Sequence, residues 1–281
     1  MKPRRTPRRK GDPLQGVERT DPYERSAEFI DVMMAPHWEA LGPALAKALQ
    51  AFGPGPVVDL GAGGGLGTLV IAEALPDAEI IAIEPSAALR SVLTARVSER
   101  PGLRDRVTVL PGGLPQAALP SEAGPQAGPR VSPQVSPQVS PQVSPQVSGV
   151  VAMNVLGHLT PEERHRLWDL PASGGRAVLN LQPPAEPVEV PPARFADVRL
   201  GRHRYEGWGR AEPAGPDGVV WHMSYRVYEG ERLVREVETS YAWRVLGERA
   251  LREELRGRGL SLTPTGPEGL GMYVVEEDPH V

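Results

Sequence analysis

The chain has no cysteine in its 281 residues. That excludes a disulfide framework, thiolate-ligated zinc, iron–sulfur clusters and a cysteine nucleophile, and it fits a reducing compartment. It also lacks any apolar run of the roughly 18 residues that a membrane span needs. The longest uncharged apolar stretch, residues 60–72, is interrupted by glycines. No apolar segment follows the twin arginines of the N-terminal MKPRRTPRRK, so this stretch does not read as a secretory signal. A cytoplasmic protein without membrane association is expected. Acidic residues are missing from the first ten positions, which carry six positive charges. The rest of the chain holds 25 basic against 35 acidic residues, and a body that acidic does not attract nucleic acid by its overall field. Residues 1–20 have no hydrophobic periodicity and are expected to form a solvated, disordered tail.

What is present is alternation of strand and helix patterns. Residues 21–49 read as helix, interrupted at Pro36 and Pro43. Short buried-type strands at 56–60, 79–83 and 106–110 alternate with helices at 68–75 and 86–97, the second capped by Ser86. Residues 115–148 interrupt the pattern with VSPQ, repeated four times in tandem from Val131 to Gln146. Proline at every fourth position forbids helix and central strand, so a disordered loop inserted in the domain is expected. A fourth strand at 149–154 leads to Thr160-Pro161-Glu162-Glu163, a helix start with a capping box. A fifth strand is expected at 176–181. Residues 219–228 and 232–244 then alternate as an antiparallel hairpin, joined by 205–210. Val219, Trp221, Met223, Tyr225 and Val227 share one face; His222, Ser224 and Arg226 share the other. A helix at 248–256 and a strand at 270–276 complete the chain. The fold class is α/β: a doubly wound, Rossmann-like, mostly parallel sheet in one domain over 21–281, with an antiparallel insert at 200–246 after the fifth strand.

The sharpest local signal is Asp59-Leu60-Gly61-Ala62-Gly63-Gly64-Gly65, between a strand and a helix. Glycines at alternate positions let the backbone turn tightly and approach a ligand, and the helix start behind them favours an anionic group. A dinucleotide site wants a third glycine at the sixth position of the motif, where this chain has Leu66.

The alternate-glycine pattern, with an acid two residues ahead of it, resembles the first motif of class I S-adenosylmethionine-dependent methyltransferases. VVDLGAGGGLG is similar to that motif, and AMNVLGHL at 152–159 is similar to the fourth-strand motif of members acting on small molecules. The resemblance extends over residues 22–275 and includes the hairpin insert before the last helix. It implies S-adenosylmethionine as cofactor, touched by Asp59, Gly61, Ala62, Gly63, Gly65, Glu84, Gly113, Leu114 and Asn154. Asp59 would orient the loop, or the substrate amine through a water, Glu84 would accept the ribose hydroxyls, and no metal would be needed. Four features depart from the family pattern, the first being the VSPQ loop, which is foreign to that fold. No acid follows the third strand, Asn154 is not followed by Pro-Pro-Tyr, and the helix after His158 is short.

The activity implied is in-line methyl transfer to a small-molecule acceptor, with no nucleic-acid or membrane partner. His158 is the candidate base, since it follows the carboxyl end of the fourth strand, where open α/β sheets hold ligands. Tyr23, Tyr205, Trp208, His222, Tyr225 and Arg226 are candidates for the acceptor pocket. Two other readings stay open at this point: a methyltransferase-like binding protein without catalysis, and a nicotinamide-dependent oxidoreductase. The acceptor, the atom methylated and the oligomeric state are not set by the sequence.

Overall fold

The computed structural model describes residues 21–114 and 147–281. The tail 1–20 and the VSPQ repeat lie outside the described residues. Among the described residues eleven strands form two sheets. The first is built on β1 (Val57–Leu60), β2 (Ile80–Glu84), β3 (Val107–Pro111), β4 (Val147–Ala152), β5 (Pro171–Asn180), β10 (Leu260–Pro264) and β11 (Met272–Glu277). Its order is β10-β11-β5-β4-β1-β2-β3, and β11 alone runs antiparallel to the others. β1, β2 and β4 are buried along their whole length, as parallel strands covered on both faces must be.

Strand alternation divides the core. Val57 and Ile80 face α1 (Ala27–Leu49), α2 (Leu66–Ala74) and α3 (Ala87–Ser98), with Leu41, Leu45, Ile71 and Leu93 packed on them. Their neighbours Val58 and Ile81 face the opposite way, toward Leu167 of α5 (Pro161–Trp168) and Leu251 and Leu255 of α6 (Glu248–Arg256). A one-turn helix, α4 (Pro101–Arg104), leads into β3. The Ser86 hydroxyl accepts from the Leu89 amide at the start of α3, and Thr160 and Glu163 form the reciprocal capping box of α5.

The second sheet, β6-β7-β8-β9, is antiparallel throughout: β6 (Val190–Leu200), β7 (His203–Pro213), β8 (Gly218–Glu229) and β9 (Arg232–Arg244). One face is apolar, with Tyr225, Val227 and Val237 packing on Phe29 and Met33 of α1. Farther along the same face, Ala211, Val219 and Trp243 form a second cluster.

Several expectations need correction. α1 is continuous through Pro36 and Pro43. Both prolines are exposed, so water can serve the carbonyls they leave without a donor. The helix begins at Ala27, not Asp21, because the Asp21 carboxylate accepts from the Tyr23 amide and turns the chain first. β6 was not foreseen, since prolines 191 and 192 argue against a strand; it lies at the sheet edge, where proline is tolerated. The insert therefore starts at Val190. β5 starts at Pro171, with a register shift between Val147 and Gly149 on β4. β10 was also not foreseen. Finally, Val147 and Ser148 belong to β4, not to the loop. They are a fifth Val-Ser pair, followed by Gly149 where the four earlier pairs have proline, and freedom from proline admits them to the ladder.

Phe29 is 1% exposed and stacks on Tyr225 with ring centres 5.4 Å apart. Phe29→Ala is expected to cost about 3–5 kcal/mol in chemical denaturation. Trp221→Ala, at a half-buried position, is expected to cost distinctly less.

Candidate active site

The glycine loop lies between the carboxyl end of β1 and the start of α2. Gly61, Gly63 and Gly65 all have positive φ, at 69°, 58° and 92°. A side chain at Gly61 would strike Val155, one at Gly64 would strike Asp31, and one at Gly65 would strike Leu93. Gly63 differs: a Cβ there would have only the Gly61 carbonyl oxygen within reach, at 4.0 Å. The loop thus has one open position, and it lies beside Glu84.

Glu84 ends β2 and is 4% exposed. Its Oε2 accepts from the Gly63 amide and its Oε1 from the Ser86 amide, each at 2.8 Å. Burial pushes its carboxyl above the ordinary value, against the pull of these two hydrogen bonds; nearby Asp21 adds to the rise. Each oxygen keeps acceptor capacity for a further donor. Asp59, 3% exposed, accepts a 2.6 Å hydrogen bond from Thr68 at the start of α2, and burial raises it to about 6. The acid therefore ties strand to helix beneath the loop. Arg96 of α3 holds the loop from outside, donating to the Gly64 carbonyl and pairing with Asp31 of α1 at 2.6 Å.

The loop amides are largely committed. Gly61 and Ala62 both donate to the Ile83 carbonyl, and Gly65 donates to Ala62. Gly113 and Leu114 follow β3; Leu114 is buried in the core beside Ile83. Asn154 follows β4 in a left-handed conformation, φ 57°. Its amide donates to Asn180 Oδ1 at 2.6 Å, and Asn180 Nδ2 donates to Asn154 Oδ1 at 2.7 Å. This reciprocal pair clasps the ends of β4 and β5 and occupies the Asn154 side chain.

On the other side of the site, His158 closes a single 3-10 turn (Leu156–His158). Its Nε2 shares a 2.8 Å hydrogen bond with the Tyr23 hydroxyl. Burial lowers the imidazole to about 4 and raises the Tyr23 phenol well above its usual value. Tyr241 and Trp243 of β9 complete an aromatic group around the imidazole, with centres 5.6 and 4.9 Å away. The segment 21–26 links the two sides. Asp21 Oδ2 accepts from Ser86 Oγ at 2.6 Å, next to Glu84, while two residues later Tyr23 reaches His158. Thr239 of β9 donates to the Pro22 carbonyl and holds the segment down.

The six residues expected to line an acceptor pocket divide. Tyr23 meets His158. Tyr225 is packed between Phe29 and Phe195, and Tyr205 borders Phe29 at 6.4 Å. Trp208, His222 and Arg226 lie on the opposite face of the second sheet. Arg226 pairs with Glu236 and lies over the Trp208 ring, and His222 meets Ser240. Strand alternation sends these three away from Tyr23 and His158. Sequence reasoning missed Asp21, Asn180, Tyr241 and Trp243. The aspartate-to-tyrosine spacing at 21–23 and the apolar side of β9 were the signals available. Among the described residues no group of three or more acidic or histidine side chains is placed to hold a metal, and no helix is long and apolar enough to cross a membrane.

No family model and no curated protein matches the sequence. Solved structures do match. DesVI of Streptomyces venezuelae superposes with a TM-score of 0.64 at 13% identity, over 89% of this chain and 96% of that one. CalS10 of Micromonospora echinaspora, described as an amino pentose methyltransferase and solved with S-adenosylmethionine bound, gives 0.57 at 14% identity over 85% and 89%. An S-adenosylmethionine-dependent methyltransferase of Clostridium acetobutylicum gives 0.56 at 12% identity over 92% and 99%. Together with the strand order and the glycine loop, these likenesses give the chain the fold of the class I S-adenosylmethionine-dependent methyltransferases.

Proposed function

We propose that the protein transfers the methyl group of S-adenosylmethionine to a small-molecule acceptor. The observation that carries this reading is the open position at Gly63, bordered by a buried carboxylate with acceptor capacity to spare. Glu84 would hold the ribose hydroxyls, and Gly61, Gly63 and Gly65 would face the cofactor through backbone surface. Leu114 and Gly113 would border the adenine, and Asn154 would contribute backbone beside the loop. When bound, S-adenosylmethionine supplies a methyl group on a sulfonium, which needs no further activation as an electrophile. The chain's part is then to align the acceptor, exclude water and manage one proton.

The Tyr23–His158 pair suits the last task. A neutral imidazole is the form that takes up a proton, and burial keeps His158 neutral at physiological pH, although the same burial lowers its basicity. The Tyr23 hydroxyl meets Nε2 of that ring, while the Tyr23 amide donates to Asp21, which accepts from Ser86 next to Glu84. The hydroxyl would accept the acceptor's proton while passing its own to Nε2. The committed amides of Gly61, Ala62, Gly63 and Gly65 argue against a dinucleotide, whose pyrophosphate asks for free amides at such a turn. A soluble, cytoplasmic enzyme acting on a small molecule is the setting in which we place this reading.

Calorimetry with S-adenosylmethionine tests it. The parent is expected to bind, Gly63→Val to lose binding while remaining folded, and Glu84→Ala to weaken it by about 1.5–3 kcal/mol. Tighter binding of NADH than of S-adenosylmethionine would overturn the assignment; binding with no product on any acceptor would favour a binding protein.

A second test uses linkage. The folded-state value of His158 lies below its unfolded value, so the unfolded chain takes up a proton first as pH falls. The contribution of His158 to stability is intact above about pH 6.5 and is lost progressively as pH falls toward about 4. Between pH 7 and pH 5 the parent is expected to lose up to about 2 kcal/mol more than His158→Gln, read by urea denaturation at the two pH values. Equal losses would mean that the imidazole titrates normally.

A further inference from the structure

The 3-10 turn that carries His158 is held by the second sheet, and the contact is unusually close. Trp243 lies directly on Gly157. A Cβ at that glycine would stand 2.0 Å from Cε2 of the indole, 2.3 Å from Cδ2 and 2.4 Å from Cζ2. No side chain fits between them. Gly157 has no positive φ to explain its identity; the indole explains it. The same indole meets the His158 ring edge to face, at 4.9 Å and 79°. Its own position is fixed from behind. Trp243 is 7% exposed, pairs across the ladder with Val219, and packs with Val219 and Ala211, which are 0% and 1% exposed.

The backbone around His158 is fixed at both ends, by the Asn154–Asn180 clasp before it and the Thr160 capping box after it. What the backbone leaves open is rotation of the imidazole about its side-chain bonds. We propose that Trp243 is a positioning residue for His158: its indole, seated on Gly157 and against the ring, holds the imidazole in the orientation that presents Nε2 to the Tyr23 hydroxyl. This role rests on the reading of His158 as the acceptor-side base. It makes the apolar face of the second sheet a working part of the site, although the polar face of that sheet points elsewhere.

The test observes the imidazole itself. Tyr23 and Tyr241 are the titratable groups that face it. Burial raises both phenols, Tyr241 to about 12 and Tyr23 well above its usual value, so neither ionises in the range used. Protein labelled with nitrogen-15 at histidine is titrated by NMR between about pH 5 and pH 8, and the His158 signals are assigned by their loss in His158→Gln. The parent is expected to show one neutral tautomer across the range. Trp243→Leu keeps apolar bulk but removes the ring edge. It is expected to exchange between tautomers and to move the titration midpoint of His158 up toward the ordinary histidine value of about 6.5. Trp243→Phe is expected to retain the parent pattern. Gly157→Ala displaces the indole without removing it and should behave like Trp243→Leu, so it decides the matter if that variant does not fold. Affinity for S-adenosylmethionine should stay within about twofold throughout. An unchanged His158 spectrum in whichever variant folds overturns the proposal, as does tautomer exchange in the parent. Failure of the parent to bind S-adenosylmethionine would count against the functional reading instead, and the spectra would still report on Trp243.

Discussion

Two carboxyl groups buried at the carboxyl ends of neighbouring parallel strands must find donors, and the site is arranged around that requirement. A carboxylate taken from water without compensation is costly. Asp59 finds Thr68, which fixes where α2 begins. Glu84 finds the amides of Gly63 and Ser86, which fixes the glycine loop on one side and the start of α3 on the other. The loop can reach Glu84 only because its glycines adopt positive φ, and α3 can start at Ser86 because the same serine caps it. The two acids thus position the glycine loop and the start of α3 on either side of Glu84 before any ligand is considered.

Much of this was legible in the sequence because it is local. The strand–glycine–helix unit, the Ser86 cap and the Thr160 capping box each depend on residues within a few positions of one another, and all three stand as read. The faces of β8 also stand, since alternation is a local property: Tyr225 and Val227 pack inward while Arg226 pairs outward with Glu236. What the sequence hid was long-range. The 2.8 Å contact between Tyr23 and His158 joins residues 135 positions apart, and the clasp of Asn154 with Asn180 spans 26. No periodicity announces either. β6 was hidden for another reason, since proline is judged against a central strand and only the sheet order makes this strand an edge. The outer-face placement of Trp208, His222 and Arg226 follows from which face meets α1, a tertiary fact that alternation alone leaves undecided.

The second sheet has a divided character. Its apolar face is partly conventional core, where Phe29 and Met33 meet Tyr225, Val227 and Val237. Nearer the end of β9 the same face carries Tyr241 and Trp243 to the imidazole. Stability and site geometry thus share one surface, and a change at Val219 or Ala211 would act on both through the indole packed against them.

The segment 21–26 touches both halves of the site within three residues, Asp21 beside Glu84 through Ser86 and Tyr23 on His158. This closeness limits how the site can diverge over generations. A substitution in the segment that reshapes one half disturbs the other, so the two cannot be varied independently there. Among the described residues, Tyr241 and Trp243 of β9, which face the imidazole, make no contact with Glu84 or Ser86 and carry no such double duty. The surroundings of the imidazole can therefore be altered from β9 alone, while a change in the six residues before α1 acts on both halves at once.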